Sequence, residues 1–187
     1  MNLPNKITMF RVFLIPVFVV LLMLEQIPYY NFIALGVFSV ACFSDFLDGY
    51  LARKYHLVTT FGKFMDPLAD KILVCTAMIL LIELDKIPAV IVAVIMAREF
   101  IISGFRLVAS DKGVVIAAGY LGKFKTVAQM FMCIFLLFTA DPSYDKYLFF
   151  RIIGVAGEVF MWLALILTVV SLVDYMWKNR RVLSDQK

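Results

Sequence analysis

Four aspartates, Asp45, Asp48, Asp66 and Asp70, stand close together in a chain otherwise dominated by apolar side chains. Asp45 and Asp48 are three apart, and Gly62, Asp66 and Asp70 follow at four-residue steps, so each set shares one face of a helix. Gly49 and Ala52 extend the first face and leave a groove beside its carboxylates. If the two helices are antiparallel neighbours, four like charges converge, and they repel strongly unless neutralised. Arg53, Lys54 and Lys63 offset part of that charge, and divalent cations offset it better. Oxygen donors without a histidine pair or thiolate point to Mg2+ or Mn2+ rather than to zinc or copper. Two such ions would balance four carboxylates and form a clamp suited to in-line phosphoryl displacement. The glycines would let a pyrophosphate approach closely. A proton or metal-ion transporter with an aspartate-lined cavity is the competing reading. A single aspartate could also pair with an arginine or cap a helix, but four at matched spacing favour a functional site.

The elements that carry these residues are membrane spans. The 187-residue chain is 63% hydrophobic, with a mean hydropathy of +0.92. Ordinary soluble domains are about 45–50% apolar, so much of this surplus must face lipid. Hydrophobic segments at about 8–27, 31–53, 67–84, 88–109, 124–140 and 147–176 predict six transmembrane helices. The predicted fold is therefore an all-α polytopic membrane protein, with a short N-terminal juxtamembrane segment. The first span resembles a signal peptide only loosely and is read as retained. No linker or repeat divides the chain, which predicts one domain over residues 1–187. All but Lys86, Lys146 and Arg151 of its 18 Lys and Arg fall on one side of such a topology. The positive-inside rule then puts both termini, and the whole aspartate cluster, on the cytoplasmic side. The net charge of +4 fits anionic lipid and phosphate rather than nucleic acid. Cys42, Cys75 and Cys133 read as isolated small hydrophobes, and His56 as a loop residue.

A second polar group lies on the fourth and fifth spans. Arg98 falls near mid-membrane, where a charge is costly. Glu99, Ser103 and Arg106 form one stripe beside it, and Lys123 and Lys125 open the next span. Two readings meet here. Arg98 could pair with Glu99 while the lysines reach lipid headgroups; alternatively, Arg98, Arg106, Lys123 and Lys125 bind a phosphate on the acceptor substrate. Arg151 and Glu158 on the last span are expected to pair, with Gly154 and Gly157 at a helix contact.

The pattern Asp45-x2-Asp48-Gly49-x2-Ala52-Arg53-x8-Gly62-x3-Asp66-x3-Asp70 resembles the signature of the CDP-alcohol phosphatidyltransferases at every fixed position. The segments NLPNKITMFR, REFIISGFR and GKFKTVAQ are similar to the bacterial branch of that family that makes phosphatidylglycerophosphate. The resemblance implies a six-helix homodimer in the bacterial inner or plasma membrane, with its site facing the cytoplasm. It implies transfer from CDP-diacylglycerol to glycerol 3-phosphate, releasing CMP. It further implies Asp45, Asp48, Asp66 and Asp70 as metal ligands and Asp70 as proton acceptor. Gly49, Arg53 and Thr59 would contact the CDP-diacylglycerol headgroup, together with Asn5 and Thr8. The basic group on spans four and five supports a phosphorylated acceptor, whereas a family member using another alcohol would have less need of it.

Overall fold

The computed structural model describes residues 3–24, 26–54, 60–111 and 119–179; of Asp45, Asp48, Gly49, Arg53 and Asp66 it describes the backbone alone. The fold is all-α. Among the described residues six α-helices follow in order: α1 (Leu3–Met23), α2 (Tyr30–Lys54), α3 (Thr60–Glu83), α4 (Ala89–Asp111), α5 (Tyr120–Phe138) and α6 (Leu148–Lys178). Each predicted span corresponds to one helix. The segment expected to precede the first span, from Leu3, is already part of α1. Three helical segments, Asn5–Met23, Tyr120–Phe138 and Leu148–Lys178, are long and apolar enough to cross a membrane. The polar residues of α2, α3 and α4 set those helices apart: α2 is apolar only as far as Ser44.

Apolar rows at helical spacing build the core. Ile15, Phe18 and Leu22 of α1 meet Ala34, Phe38 and Ala41 of α2, and Leu73, Ala77 and Leu81 of α3. The rings of Phe18 and Phe38 lie 5.7 Å apart. Alanines on the facing rows let these helices approach closely. Outward faces are equally apolar: Phe13, Val90, Leu107, Leu148 and Trp177 are all exposed, as a helix bundle surrounded by lipid requires.

Packing partners define the centre of the bundle. α3 touches α1, α2, α4 and α5, while α5 touches α2, α3 and α6. α4 packs in turn on α6, so α3, α4, α6 and α5 close a ring. The most intimate contact is between α5 and α6, and Gly157 makes it possible. A Cβ there would lie 2.7 Å from Leu136 Cδ2 and 3.3 Å from Phe135 Cβ. Gly154, one turn earlier, has only Thr139 Oγ1 at 3.9 Å.

The two ends of the bundle are finished differently. At the end formed by the α3–α4 and α5–α6 connections, a 3-10 turn (Pro142–Tyr144) is capped by Asp141, which accepts from the Ser143 N–H at 2.8 Å. Asn31 Nδ2 donates to the Phe138 carbonyl at 3.0 Å, satisfying an end of α5 that has no intrahelical partner. Phe150 stacks on Tyr144 at 4.7 Å and on Phe138 at 5.2 Å, and Phe32 meets Phe138 edge-on at 5.1 Å. A cavity of about 290 Å3 opens here beside Asp85, Lys86, Asp145, Arg151 and Glu158. The pair expected between Arg151 and Glu158 is not formed, and none of these five residues makes an ion pair among the described residues. Seven residues is two helical turns, beyond the three- or four-residue spacing at which helix side chains meet.

Candidate active site

Polar residues from three helices converge inside the ring at the opposite end of the bundle. Asp70 and Lys71 come from the first half of α3; Arg98, Glu99, Ser103 and Arg106 lie on α4; Gly122, Lys123 and Thr126 lie on the first turns of α5. Together with Ile102 they line a cavity of about 200 Å3. A smaller cavity of about 50 Å3 adjoins it, shares Asp70, Lys71, Glu99 and Thr126, and adds Lys125 and Gln129. Asp70 and three of the four predicted acceptor-phosphate residues therefore share one space, with Lys125 in the next.

Glu99 organises the cations. Its Oε1 accepts from Arg98 Nη1 at 2.9 Å and from Lys125 Nζ. Lys125 is 1% exposed and Arg98 9%, so neither reaches water for compensation. Buried charges of this kind must be paired and hydrogen-bonded to be tolerated. Arg98 pairs with Glu99 as one reading of the sequence expected, but Lys125 points into the protein rather than to lipid headgroups. The two cations and one carboxylate leave a net charge of +1. Arg98 Nη2 also donates to Ser171 Oγ on α6 at 3.0 Å. Lys71 donates to Ser103, whose hydroxyl donates in turn to the Glu99 backbone carbonyl at 2.6 Å.

Arg106 and Lys123 differ from Arg98 and Lys125. Both are exposed and neither forms an ion pair among the described residues. Each lies against an aromatic ring instead: Arg106 Cζ is 5.7 Å from the centre of Tyr175, and Lys123 Nζ 5.6 Å from that of Tyr120. A cation over a ring keeps its hydrogen-bond donors available, which suits anion binding.

The aspartates occupy matching helix ends. Asp45 and Asp48 lie in the last turns of α2, Asp66 and Asp70 in the first turns of α3, and the two helices are in contact. The side chains of Asp45, Asp48, Gly49, Arg53 and Asp66, and all of Thr59, lie outside the described residues. As a donor set, four carboxylates on adjoining helix ends fit a hard divalent cation. Asn5 and Thr8 are buried on α1, three residues apart, and Arg11 continues the row. Arg11 Nε donates to Ser44 Oγ at 3.4 Å, immediately before Asp45, so this polar row backs onto the aspartate end of α2.

Sequence reasoning passed over Lys71, Arg11, Ser171 and Tyr175. The signal for the last two was present: Thr168, Ser171 and Tyr175 are polar or amphipathic residues in one row of an otherwise apolar span, and all three are buried.

The amino-acid sequence has counterparts among known proteins. The family model for CDP-alcohol phosphatidyltransferases matches residues 1–170, and the chain belongs to that family. Close similarity extends to named relatives. The CDP-diacylglycerol–glycerol-3-phosphate 3-phosphatidyltransferase of Bacillus subtilis (strain 168) is 42% identical, over 95% of each chain. The proteins of the same name from Rickettsia typhi and Escherichia coli K12 are 38% and 36% identical. Those alignments cover 93% and 99% of this chain, and 94% and 98% of the relatives.

Proposed function

We propose that this chain transfers the phosphatidyl group of CDP-diacylglycerol to glycerol 3-phosphate, giving phosphatidylglycerophosphate and CMP in phospholipid biosynthesis. The observation that carries the reading is the cavity that Asp70 shares with Arg98, Arg106 and Lys123. It joins a candidate base to cations able to hold a phosphate, and relatives with this enzyme name align along nearly the whole chain.

Asp70 takes the proton of the acceptor hydroxyl as that oxygen bonds to the lipid-bearing phosphorus. The bond from this phosphorus to the bridging oxygen breaks, and the electron pair leaves with CMP. Arg106 and Lys123 hold the acceptor phosphate directly, while Arg98 and Lys125, tied to Glu99, supply positive field from the wall. Arg53 offers a planar donor fork to the pyrophosphate, Gly49 lets it approach, and Thr59, Asn5 and Thr8 complete the headgroup contacts. Asp45, Asp48, Asp66 and Asp70 would hold two divalent cations, Mg2+ or Mn2+, which when bound offset charge on the pyrophosphate and on departing CMP.

The same reading includes six spans forming one domain, with both termini cytoplasmic, in a homodimer in the bacterial inner membrane. One soluble and one lipid-anchored substrate require a cavity open to both cytoplasm and bilayer.

Purified protein supplied with CDP-diacylglycerol and a panel of alcohols tests the activity. CMP release dependent on glycerol 3-phosphate, abolished by chelation and restored by Mg2+ or Mn2+, is the expected result. Release with an unphosphorylated alcohol alone would remove the acceptor assignment. Ion flux through proteoliposomes without CMP release would favour a transporter. An impermeant thiol reagent tests orientation in a cysteine-free background: a cysteine at position 86 should label from outside, and one at position 57 should not.

A further inference from the structure

α6 contributes nothing to the signature, yet it carries two contacts to the arginines of α4. Ser171 Oγ accepts from Arg98 Nη2 at 3.0 Å, and itself donates to the Thr168 carbonyl at 3.1 Å, which fixes its orientation. Tyr175, one turn on, lies under the Arg106 guanidinium at 5.7 Å. The Tyr175 ring is held in turn by Phe105, edge-on at 5.6 Å, so it is a fixed platform. Its hydroxyl is buried and has no hydrogen-bond partner among the described residues. The holding is therefore done by the aromatic face, not by the hydroxyl.

Arg106 needs such a platform more than its neighbours do. Arg98 and Lys125 are fixed by Glu99, and Lys71 by Ser103. Arg106 is exposed at the cavity rim with no carboxylate beside it among the described residues. A free arginine side chain has about 2 kcal/mol of rotamer entropy to lose on binding. A ring beneath it confines the guanidinium plane before substrate arrives, and leaves its N–H groups directed to the cavity.

We propose that Tyr175 of α6 is a positioning residue for the acceptor site, holding Arg106 ready for the acceptor phosphate as Ser171 holds Arg98. This rests on the acceptor reading above and deepens it: the helix furthest in sequence from the aspartates sets the affinity for the soluble substrate.

Steady-state kinetics of the full-length enzyme, with each substrate varied in turn, test it. Tyr175→Leu should raise the KM for glycerol 3-phosphate about fivefold and leave that for CDP-diacylglycerol unchanged. Tyr175→Phe keeps the ring and should recover most of that loss. The double variant Arg106→Ala with Tyr175→Leu should have the acceptor KM of Arg106→Ala alone, because one residue acts through the other. An acceptor KM unaltered by Tyr175→Leu would overturn the proposal. So would additive effects in the double variant, or a rise in both KM values together, which would mark a general packing role. Failure of the acceptor reading is distinguishable, since the unmodified enzyme would then show no saturable dependence on glycerol 3-phosphate.

Discussion

The two ends of this bundle solve the same structural problem with opposite materials. At the α5–α6 connection, helices are joined by the rings of Phe32, Phe138, Tyr144 and Phe150, while the charges around the 290 Å3 cavity make no ion pair among the described residues. At the other end, Arg98, Lys125 and Glu99 are drawn into the protein and tied across three helices, one link reaching Ser171. Aromatic packing joins helices without desolvating charge. A buried ion cluster costs desolvation for a net stabilisation that is small or absent. The aromatic end therefore shows what the fold needs to hold together, and the charged end carries an expense for which the proposed recognition of a phosphorylated acceptor would account.

That contrast can be broken in four places, with effects that should descend in order. Asp70→Asn should lower turnover by about 10²- to 10⁴-fold, the range for a positioned base, with little change in CDP-diacylglycerol binding. Rate and binding measured on the same preparation decide whether Asp70 is more than a metal ligand. Phe150→Ala removes a half-buried ring from the aromatic end. It should cost about 2 kcal/mol of stability, below the 3–5 of a fully buried ring, without altering the KM for glycerol 3-phosphate. Denaturant titration beside kinetics would sink the division of labour if that KM moved.

Arg106→Ala should raise the acceptor KM by about tenfold, or 1.4 kcal/mol, with Arg106→Lys recovering part, since lysine keeps the charge but not the fork. A change confined to CDP-diacylglycerol would assign Arg106 to the wrong substrate. Smallest of all, Glu158→Gln at the aromatic end should shift stability by less than about 0.5 kcal/mol, because its carboxylate has no ion partner among the described residues. A loss of several times that in a melting experiment would mean that the rim charges are coupled after all.

How far the sequence could be read follows from what each signal measures. Hydropathy located each of the six α-helices among the described residues, because lipid demands apolar outward faces. It misjudged ends for the same reason. Leu24 and Ile27 are apolar turn residues, so the first span was drawn past Met23, where the helix stops. Thr60, Gly62, Lys63 and Asp66 break up the apolar pattern at the start of α3, so that helix was drawn too short. Spacing on a single helix brought out the stripe of Glu99, Ser103 and Arg106, since that relation is local. It could not reveal that Glu99 is shared with Lys125, because that depends on how α4 and α5 face each other. Ser171 and Tyr175 escaped for the same reason: their partners lie 73 and 69 residues away in the chain (171 − 98 and 175 − 106). The Arg151–Glu158 expectation failed on distance along one helix, which the sequence alone could have flagged.

The shared carboxylate of Glu99 also constrains how this protein can change over generations. Losing Arg98 or Lys125 to a neutral residue leaves one cation still matched to one acid, a state the interior tolerates. Losing Glu99 first leaves two buried cations facing each other with nothing between them. The three positions are thus traversable in one direction only: a lineage abandoning a phosphorylated acceptor must give up a cation before the acid. Glu99, which need never touch a substrate, would not be the first of the three free to drift.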